Sequence, residues 1–300
     1  MGGALPTVLV NTVIAAMPLA LIAVGFNLTY SLSGAFNVAH IEFATFGGVI
    51  TYWVWSATHA PIYLAAIVAM LAVGGLAVLM RRTIIARLLK IDPVIAMIGT
   101  FALATTLEAF VRFCEGSSPR SFELPLEIGT EVLGVRVSPL QIRLVVIAAI
   151  ALSLYLVMLW TPFGRRIRAV ASNPELAEAS GLRTGRIADG GWFVAGALAA
   201  LAGVIIALTG GLDVTIVGNY LLPAFAAAIV GGLTSLTGAI GGALFVTFVE
   251  QAAIGFNFGS PFGTSVQLPV SLESAAVFLV LVLVLVVRPG GLFSRRVRSV

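Results

Sequence analysis

Cysteine, lysine and histidine are nearly missing from this 300-residue chain: Cys114, Lys90, His40 and His59 are the whole supply. One cysteine forms no internal disulfide, and with two histidines beside it no metal constellation can be assembled. A lone lysine preceded by Arg-Leu-Leu excludes a G-x-x-x-x-G-K-[ST] phosphate loop, so the chain does not itself bind and hydrolyse ATP in that manner. Charge is scarce too, at 10% of residues against 59% hydrophobic ones. A water-soluble domain carries about a quarter charged residues, and a mean hydropathy of +1.08 makes lipid the solvent here. The net charge of +4 is no nucleic-acid footprint, because the arginines fall in short loops between apolar runs without interleaved aromatics. No nucleophile stands with a base and an oxyanion donor, so no catalytic residue is assigned.

What the chain does have is apolar length. Runs long enough to span at 1.5 Å per residue occupy residues 8–28, 38–55, 62–80, 94–113, 144–160, 192–208, 221–233, 239–255 and 272–287. The N-terminal stretch lacks the basic start of a secretory signal and reads as the first spanning helix. Two runs are irregular: 221–233 is short and glycine-flanked, and 38–55 carries His40 and Glu42, so either is open to being broken or re-entrant. The reading is an all-α polytopic bundle of eight or nine crossings, a single transmembrane domain over 1–300. Positive charge stays on the cytoplasmic side. Arg81, Arg82, Arg87 and Lys90 mark one inner loop, 161–188 a second, and Arg288, Arg295, Arg296 and Arg298 a cytoplasmic C-terminus. The loop 114–140 then falls outside, and its segment GTEVLGVRV reads as a short hairpin.

Polar residues inside such runs are expensive, about 2.5–3.5 kcal/mol for a carboxylate at mid-helix, and normally face a cavity or a partner. Asn27, Ser31, Asn37, His40 and Glu42 crowd into GFNLTYSLSGAFNVAHIEFATFGG, residues 25–48. They read either as contacts to a transported solute or as a polar knot holding two helices at their turn. Glu108 and Arg112, four apart, pair along one helix face and read as a brace near its outer end. SLSGAF at 31–36 is echoed by SLTGAI at 235–240, in corresponding halves of the chain.

The most self-contained segment is TPFGRRIRAVASNPELAEASGLRTGR, 161–186. Asn173 is an N-cap, Pro174 fits the first helical position, Glu175 puts negative charge in the first turn, and Gly181 stands where a left-handed C-cap belongs. Gly164, Arg165, Arg166 and Arg168 form a basic shoulder ahead of it. A helix of about two turns is unstable alone, so it is held by something it packs on. An ordinary positive-inside loop and a docking helix for a soluble partner both fit.

This segment, residues 25–43 and the small-residue run at 225–245 resemble three motifs of the permease subunits of branched-chain amino acid ABC importers. The N-terminal motif, roughly G-x-N-L-x-Y-x-x-x-G-x-x-N-x-A-H-x-E-F, is matched at Gly25, Asn27, Leu28, Tyr30, Gly34, Asn37, Ala39, His40, Glu42 and Phe43. Ile41 stands where members usually have glycine, and Gly47, Gly48 and Val49 where Gly-Ala-Tyr is common.

The resemblance implies an inner-membrane permease subunit of an ATP-driven, binding-protein-dependent importer. Asn27, Ser31, Asn37, His40 and Glu42 would lie along the substrate path. Gly164, Arg168, Asn173, Pro174, Glu175 and Gly181 would belong to the coupling segment that docks the ATPase. It further implies a second, nonidentical permease chain, two ATPase subunits carrying ATP and Mg, and a periplasmic or lipid-anchored solute-binding protein. This chain would bind no cofactor. Branched-chain amino acids are the default cargo, with urea, amides and small organic or aromatic acids open through the departures at Ile41 and Val49. An ion-coupled secondary transporter working alone is the rival of another class. It would want an acid and base relay at mid-membrane, whereas Glu42, Glu108, Glu250 and Glu273 are scattered.

Overall fold

The computed structural model describes residues 4–116, 120–125, 127–212, 217–255, 273–288 and 290–293. The chain is mostly helical: α1 (Ala4–Ser33), α2 (His40–Thr58), α3 (Ile62–Met80) running through a π-helical stretch (Arg81–Ile85) into α4 (Ala86–Leu88), and α5 (Pro93–Glu115). There follow α6 (Pro139–Trp160), α7 (Pro162–Ser172), α8 (Pro174–Ala179), α9 (Thr184–Gly210), α10 (Leu221–Gly231), α11 (Gly238–Gly255) and α12 (Glu273–Val287).

Several helix starts are written in local chemistry. Val94 donates its N–H to Asp92 Oδ1 at 2.6 Å ahead of Pro93. Ser138 opens α6 with a capping box, its own N–H going to Gln141 Oε1 at 3.0 Å. The anticipated hairpin forms as β1 (Thr130–Val132) against β2 (Val135–Val137), turning through Leu133 and Gly134, both at positive φ. Pro119 of the same loop and the tail arginines 295, 296 and 298 lie outside the described residues.

Among the described residues, six helices are long and apolar enough to cross a membrane: Leu5–Ser33, Ile62–Leu88, Pro93–Glu115, Pro139–Trp160, Thr184–Gly210 and Gly238–Gly255. Leu221–Gly231 and Ala275–Val287 are apolar but shorter. The run at 38–55 is unbroken from His40 onward, because α2 is continuous over 19 residues, and it is not among the six helices that qualify by length and apolarity.

Burial sorts the helices. In α1 and α9, 67% of the most apolar window is covered by protein, against 33% in α3 and 28% in α5 and α6. A helix that is apolar all round belongs in an interior, and one dressed on a single stripe belongs at the edge facing lipid. Helix α9 is the hub. It closes one core with α1, α6, α10, α11 and α12 and a second with α2, α3 and α5.

The helix ends meet in two groups. At the basic end, Arg81 and Arg82 after α3 reach Asp189 in α9, Leu32 in α1 lies against Gly191, and α6 turns into α7. At the hairpin end, Trp53 of α2 bonds Glu115 of α5, Arg120 forms a bridge with Leu212 beyond α9, and Val8 of α1 meets Gly255 of α11.

Candidate functional site

Helix α1 ends at Gly34, whose φ of +70° is open to glycine at no steric penalty, and α2 begins six residues later at His40. Thr100 of α5 supports the turn between them, accepting from Val38 N–H at 3.1 Å and donating to the Phe36 carbonyl at 3.2 Å. Helix α2 then sinks into the bundle, with every residue from His40 to Val49 buried. Its depth depends on backbone contact with α9, since a β-carbon on Gly203 would sit 1.7 Å from the Ala44 carbonyl oxygen and one on Gly47 2.3 Å from that of Ala200. Small residues at a crossing are how helices approach when lipid supplies no hydrophobic drive.

Asn27, Asn37, His40 and Glu42 are buried and Ser31 is half-buried, all around this turn. They do not act alike. The Asn27 amide donates to the carbonyls of Gly232 and Ser235, each at 3.0 Å, and so ties α1 to the turn between α10 and α11. The echoed segments, 31–36 and 235–240, each fall where one helix gives way to the next, after α1 and before α11. Tyr155 of α6 donates to Leu236 O at 2.7 Å and fixes the second turn from the other side.

Among the described residues Asn27 Oδ1, Ser31 Oγ, both amide atoms of Asn37, Glu42 Oε2 and Thr45 Oγ1 make no aligned hydrogen bond. His40 packs over Gly25 and faces the Ile22 backbone, but neither ring nitrogen makes an aligned hydrogen bond. Buried polar atoms left single cost about 1–3 kcal/mol each, and a native protein keeps several together where something else visits or the segment moves.

Aromatic rings connect this region outward. His40 lies 4.7 Å from Phe26, which lies 4.7 Å from Phe225, which is 5.6 Å from Phe36. Phe225 also lines a cleft of about 390 Å³ with Gly218, Asn219, Leu221 and Leu222. The five polar residues do not line that cleft; Phe225 is the link between them, and no pattern in the sequence singled it out.

The other set, Gly164, Arg168, Asn173, Pro174, Glu175 and Gly181, forms one local structure. Thr161 caps α7, Gly164 fits against the Leu159 and Met158 backbones, and Arg168 donates to the Leu159 carbonyl at the open end of α6. Ile167 and Val170 bury one face of α7 while Arg165, Arg166 and Arg168 stay exposed on the other. Asn173 Oδ1 accepts from Leu176 N–H at 2.9 Å, with Pro174 and Glu175 in the first turn of α8. Gly181 at φ +81° closes it. Its N–H donates to Glu178 O at 2.9 Å and that of Leu182 to Ala177 O at 3.0 Å, the paired bonds of a Schellman cap. Only Ala177 of α8 is buried, and Leu176 is 66% exposed.

Sequence reading passed over Asp189. Its carboxylate takes Arg81 Nε at 2.7 Å on Oδ1 and Arg82 Nε and Nη2 at 2.8 and 2.6 Å on Oδ2, while Arg81 also reaches Gly185 O at 2.9 Å. This clamp ties the π-helical stretch after α3 to the first turns of α9, next to α8. The available signal was one carboxylate in an apolar run near two arginines of another inner loop.

A bundle of apolar helices with a polar turn at its heart and an exposed, self-capped handle at its basic end is the architecture of a membrane permease. The model of the family described as "Branched-chain amino acid transport system / permease component" matches residues 8–287, and the chain belongs to that family. It is 26% identical over 294 residues to the high-affinity branched-chain amino acid permease LivH of Escherichia coli K12, covering 92% of this chain and 91% of that one. It is 25% identical over 303 residues to BraD of Pseudomonas aeruginosa, covering 96% and 95%. Among solved structures, a metal-chelate type ABC transporter in an inward-facing conformation aligns with a TM-score of 0.50 at 16% identity over 91% of this chain and 85% of the other, a likeness of fold.

Proposed function

We propose that this chain is the membrane-spanning permease subunit of an ATP-driven importer of branched-chain or related apolar amino acids, lodged in a bacterial inner membrane. The observation that carries the reading is the α7–α8 handle, which satisfies its own caps, rests on the basic end and turns Leu176 and Glu175 outward. A segment so complete needs nothing from the bilayer and is suited to being gripped. Two ATPase subunits holding ATP and Mg, a second permease chain that is nonidentical, and a periplasmic or lipid-anchored binding protein complete the assembly.

The alternation of helix ends supports nine crossings, with the N-terminus outside and the C-terminus at the basic, cytoplasmic end. Leu292 N–H donating to Val230 O at 2.8 Å, beside the α10–α11 turn, agrees. The path follows the α1–α2 turn past Asn27, Ser31, Asn37, His40 and Glu42. Amino acid cargo is favoured over urea, amides or aromatic acids because the matched family and the relatives LivH and BraD are described as branched-chain amino acid permeases.

In operation, closure of the ATPase dimer drags α8. The Asp189 clamp passes that displacement from α9 to α3, and the cavity around the α1–α2 turn changes sides. Uptake in reconstituted vesicles tests this. Leucine accumulates only when ATPase subunits, binding protein and ATP are all present; accumulation by this chain alone, driven by an ion gradient, overturns the reading in favour of a secondary transporter.

A further inference from the structure

Helix α10 crosses only part of the bilayer. Its last turn meets the basic end, where Leu292 N–H donates to Val230 O at 2.8 Å. Its 11 residues reach back about 16 Å, half of a hydrocarbon core about 30 Å thick. Helix α9 meanwhile finishes at the hairpin end, beside the bridge of Leu212 with Arg120. The chain therefore turns at Asn219 and Tyr220 at membrane depth, held by Tyr220 N–H to Val217 O at 3.0 Å. A turn at that depth is tolerated only against protein or water. Gly218, Asn219 and Leu222 are exposed there, and with Leu221 and Phe225 they line the cleft of about 390 Å³. An exposed carboxamide beside a non-helical backbone makes the cleft a watered one, and its volume lies in the range of small-molecule sites.

Its walls say what it can hold. Leu221, Leu222 and Phe225 are apolar, and among the described residues Asn219 brings the single polar side chain, so the space suits an aliphatic group. Behind it lies the polar turn. Phe225 closes the gap, its half-buried ring 4.7 Å from Phe26 and 5.6 Å from Phe36. Phe26 in turn covers His40 at 4.7 Å, and Phe36 directly precedes Asn37. Asn37 and His40 are 2% and 0% exposed, and among the described residues their polar side-chain atoms make no aligned hydrogen bond. Buried polar groups thus stand on one side of a wall of rings, and an apolar cleft on the other.

We propose that the cleft receives the aliphatic side chain of an amino acid and that Phe225 is the gate between it and the polar turn. With the ring resting on Phe26 and Phe36 the path is shut. When the ring swings away, the cargo reaches Asn37, whose amide offers a donor for its carboxylate and an acceptor for its ammonium. The gate rests on the amino-acid importer reading and names the residue at which that path closes.

The test uses the complete importer in vesicles loaded with labelled leucine and kept without ATP, from which the parent releases little. Phe225→Ala, which removes two ring contacts, releases leucine about tenfold faster while still retaining sucrose. Phe46→Ala is the packing control. It removes the stacked contact of Phe46 with Phe110, 6.3 Å apart in the second core, and adds no release. Leu222→Trp, at a position 38% exposed, narrows the cleft. It lowers ATP-driven leucine uptake about fivefold, and in the Phe225→Ala background it slows release of leucine far more than that of alanine. With Cys114→Ser and Asn219→Cys introduced together, a water-soluble maleimide modifies Asn219→Cys. The gate is overturned by a Phe225→Ala importer that holds leucine as tightly as the parent or spills sucrose as readily, and by equal release from Phe46→Ala. Equal slowing of leucine and alanine by Leu222→Trp overturns the side-chain site. So does an Asn219→Cys that no maleimide reaches, as under lipid or a second permease subunit. Parent vesicles that take up leucine with ATP while these arms fail overturn the gate and cleft alone; parent vesicles that take up none overturn the amino-acid importer reading with them.

Discussion

The handle at 161–188 and the α1–α2 turn are both polar segments of an oily chain, and they treat their polar groups in opposite ways. In the handle the caps are met within a few residues, from Thr161 through Asn173 to the paired bonds around Gly181. At the turn the Asn27 amide N–H donors reach partners 205 and 208 residues away, while among the described residues Asn27 Oδ1 and atoms of Ser31, Asn37, His40, Glu42 and Thr45 make no aligned hydrogen bond. A segment that closes its own bonding is stable wherever it is pushed, which suits a part moved as a rigid lever. A segment that leaves bonds open in the interior has a second state to go to or a visitor to receive.

The sharpest break in this comparison comes at the crossing that holds α2 in place. Gly203→Val drives side-chain atoms into the Ala44 backbone and costs upwards of about 4 kcal/mol, since neither helix axis can shift without reopening both cores. Loss of folded, monodisperse protein in detergent checks this. Asp189→Asn comes next, leaving Arg81, whose side chain is 14% exposed, without its anion at a cost of about 3 kcal/mol. Its thermal unfolding should fall accordingly, while Arg82→Gln, at a side chain 62% exposed, moves stability far less.

The two asparagines sharpen the contrast within the turn itself. Asn27→Ala loses two hydrogen bonds across the α1 contact, though Gly232 O keeps the Ser235 N–H, for about 2 kcal/mol. Asn37→Ala removes a side chain whose polar atoms are all unpartnered and is neutral or slightly stabilising, within about 1 kcal/mol, yet it lowers transport. Unfolding curves and uptake measured on the same two variants separate brace from path; equal destabilisation by both makes the turn a polar knot and no more. Smallest in global stability is Glu175→Arg with Gly181→Val. The forced left-handed β-branched residue costs about 1–2 kcal/mol, confined to α8. ATP-driven uptake should drop about tenfold with membrane abundance unchanged.

What could be read in the sequence divides along the same line. The caps of α8, the hairpin at 130–137 and the Glu108–Arg112 pair are made between residues at most a few positions apart, so composition and spacing reveal them. Family membership was legible too, in motifs quoted residue by residue, and the match over residues 8–287 bears it out. The Asp189 clamp was not legible, because its partners are 107 and 108 residues away. Nor was the burial of α2, since hydropathy reports an apolar surrounding without saying whether it is lipid or protein. The count of eight or nine spans met the same obstacle. Among the described residues six helices qualify by length and apolarity, and α2, α10 and α12 do not.

The most direct test of the lever is a crosslink. With Cys114→Ser and Leu176→Cys in the assembled importer, a short bifunctional thiol reagent should join α8 to an ATPase subunit bearing a single surface cysteine, in higher yield with ATP than without. A Leu176→Cys that reacts freely with bulky water-soluble reagents in the assembled complex and never joins the ATPase, with or without nucleotide, contradicts the account.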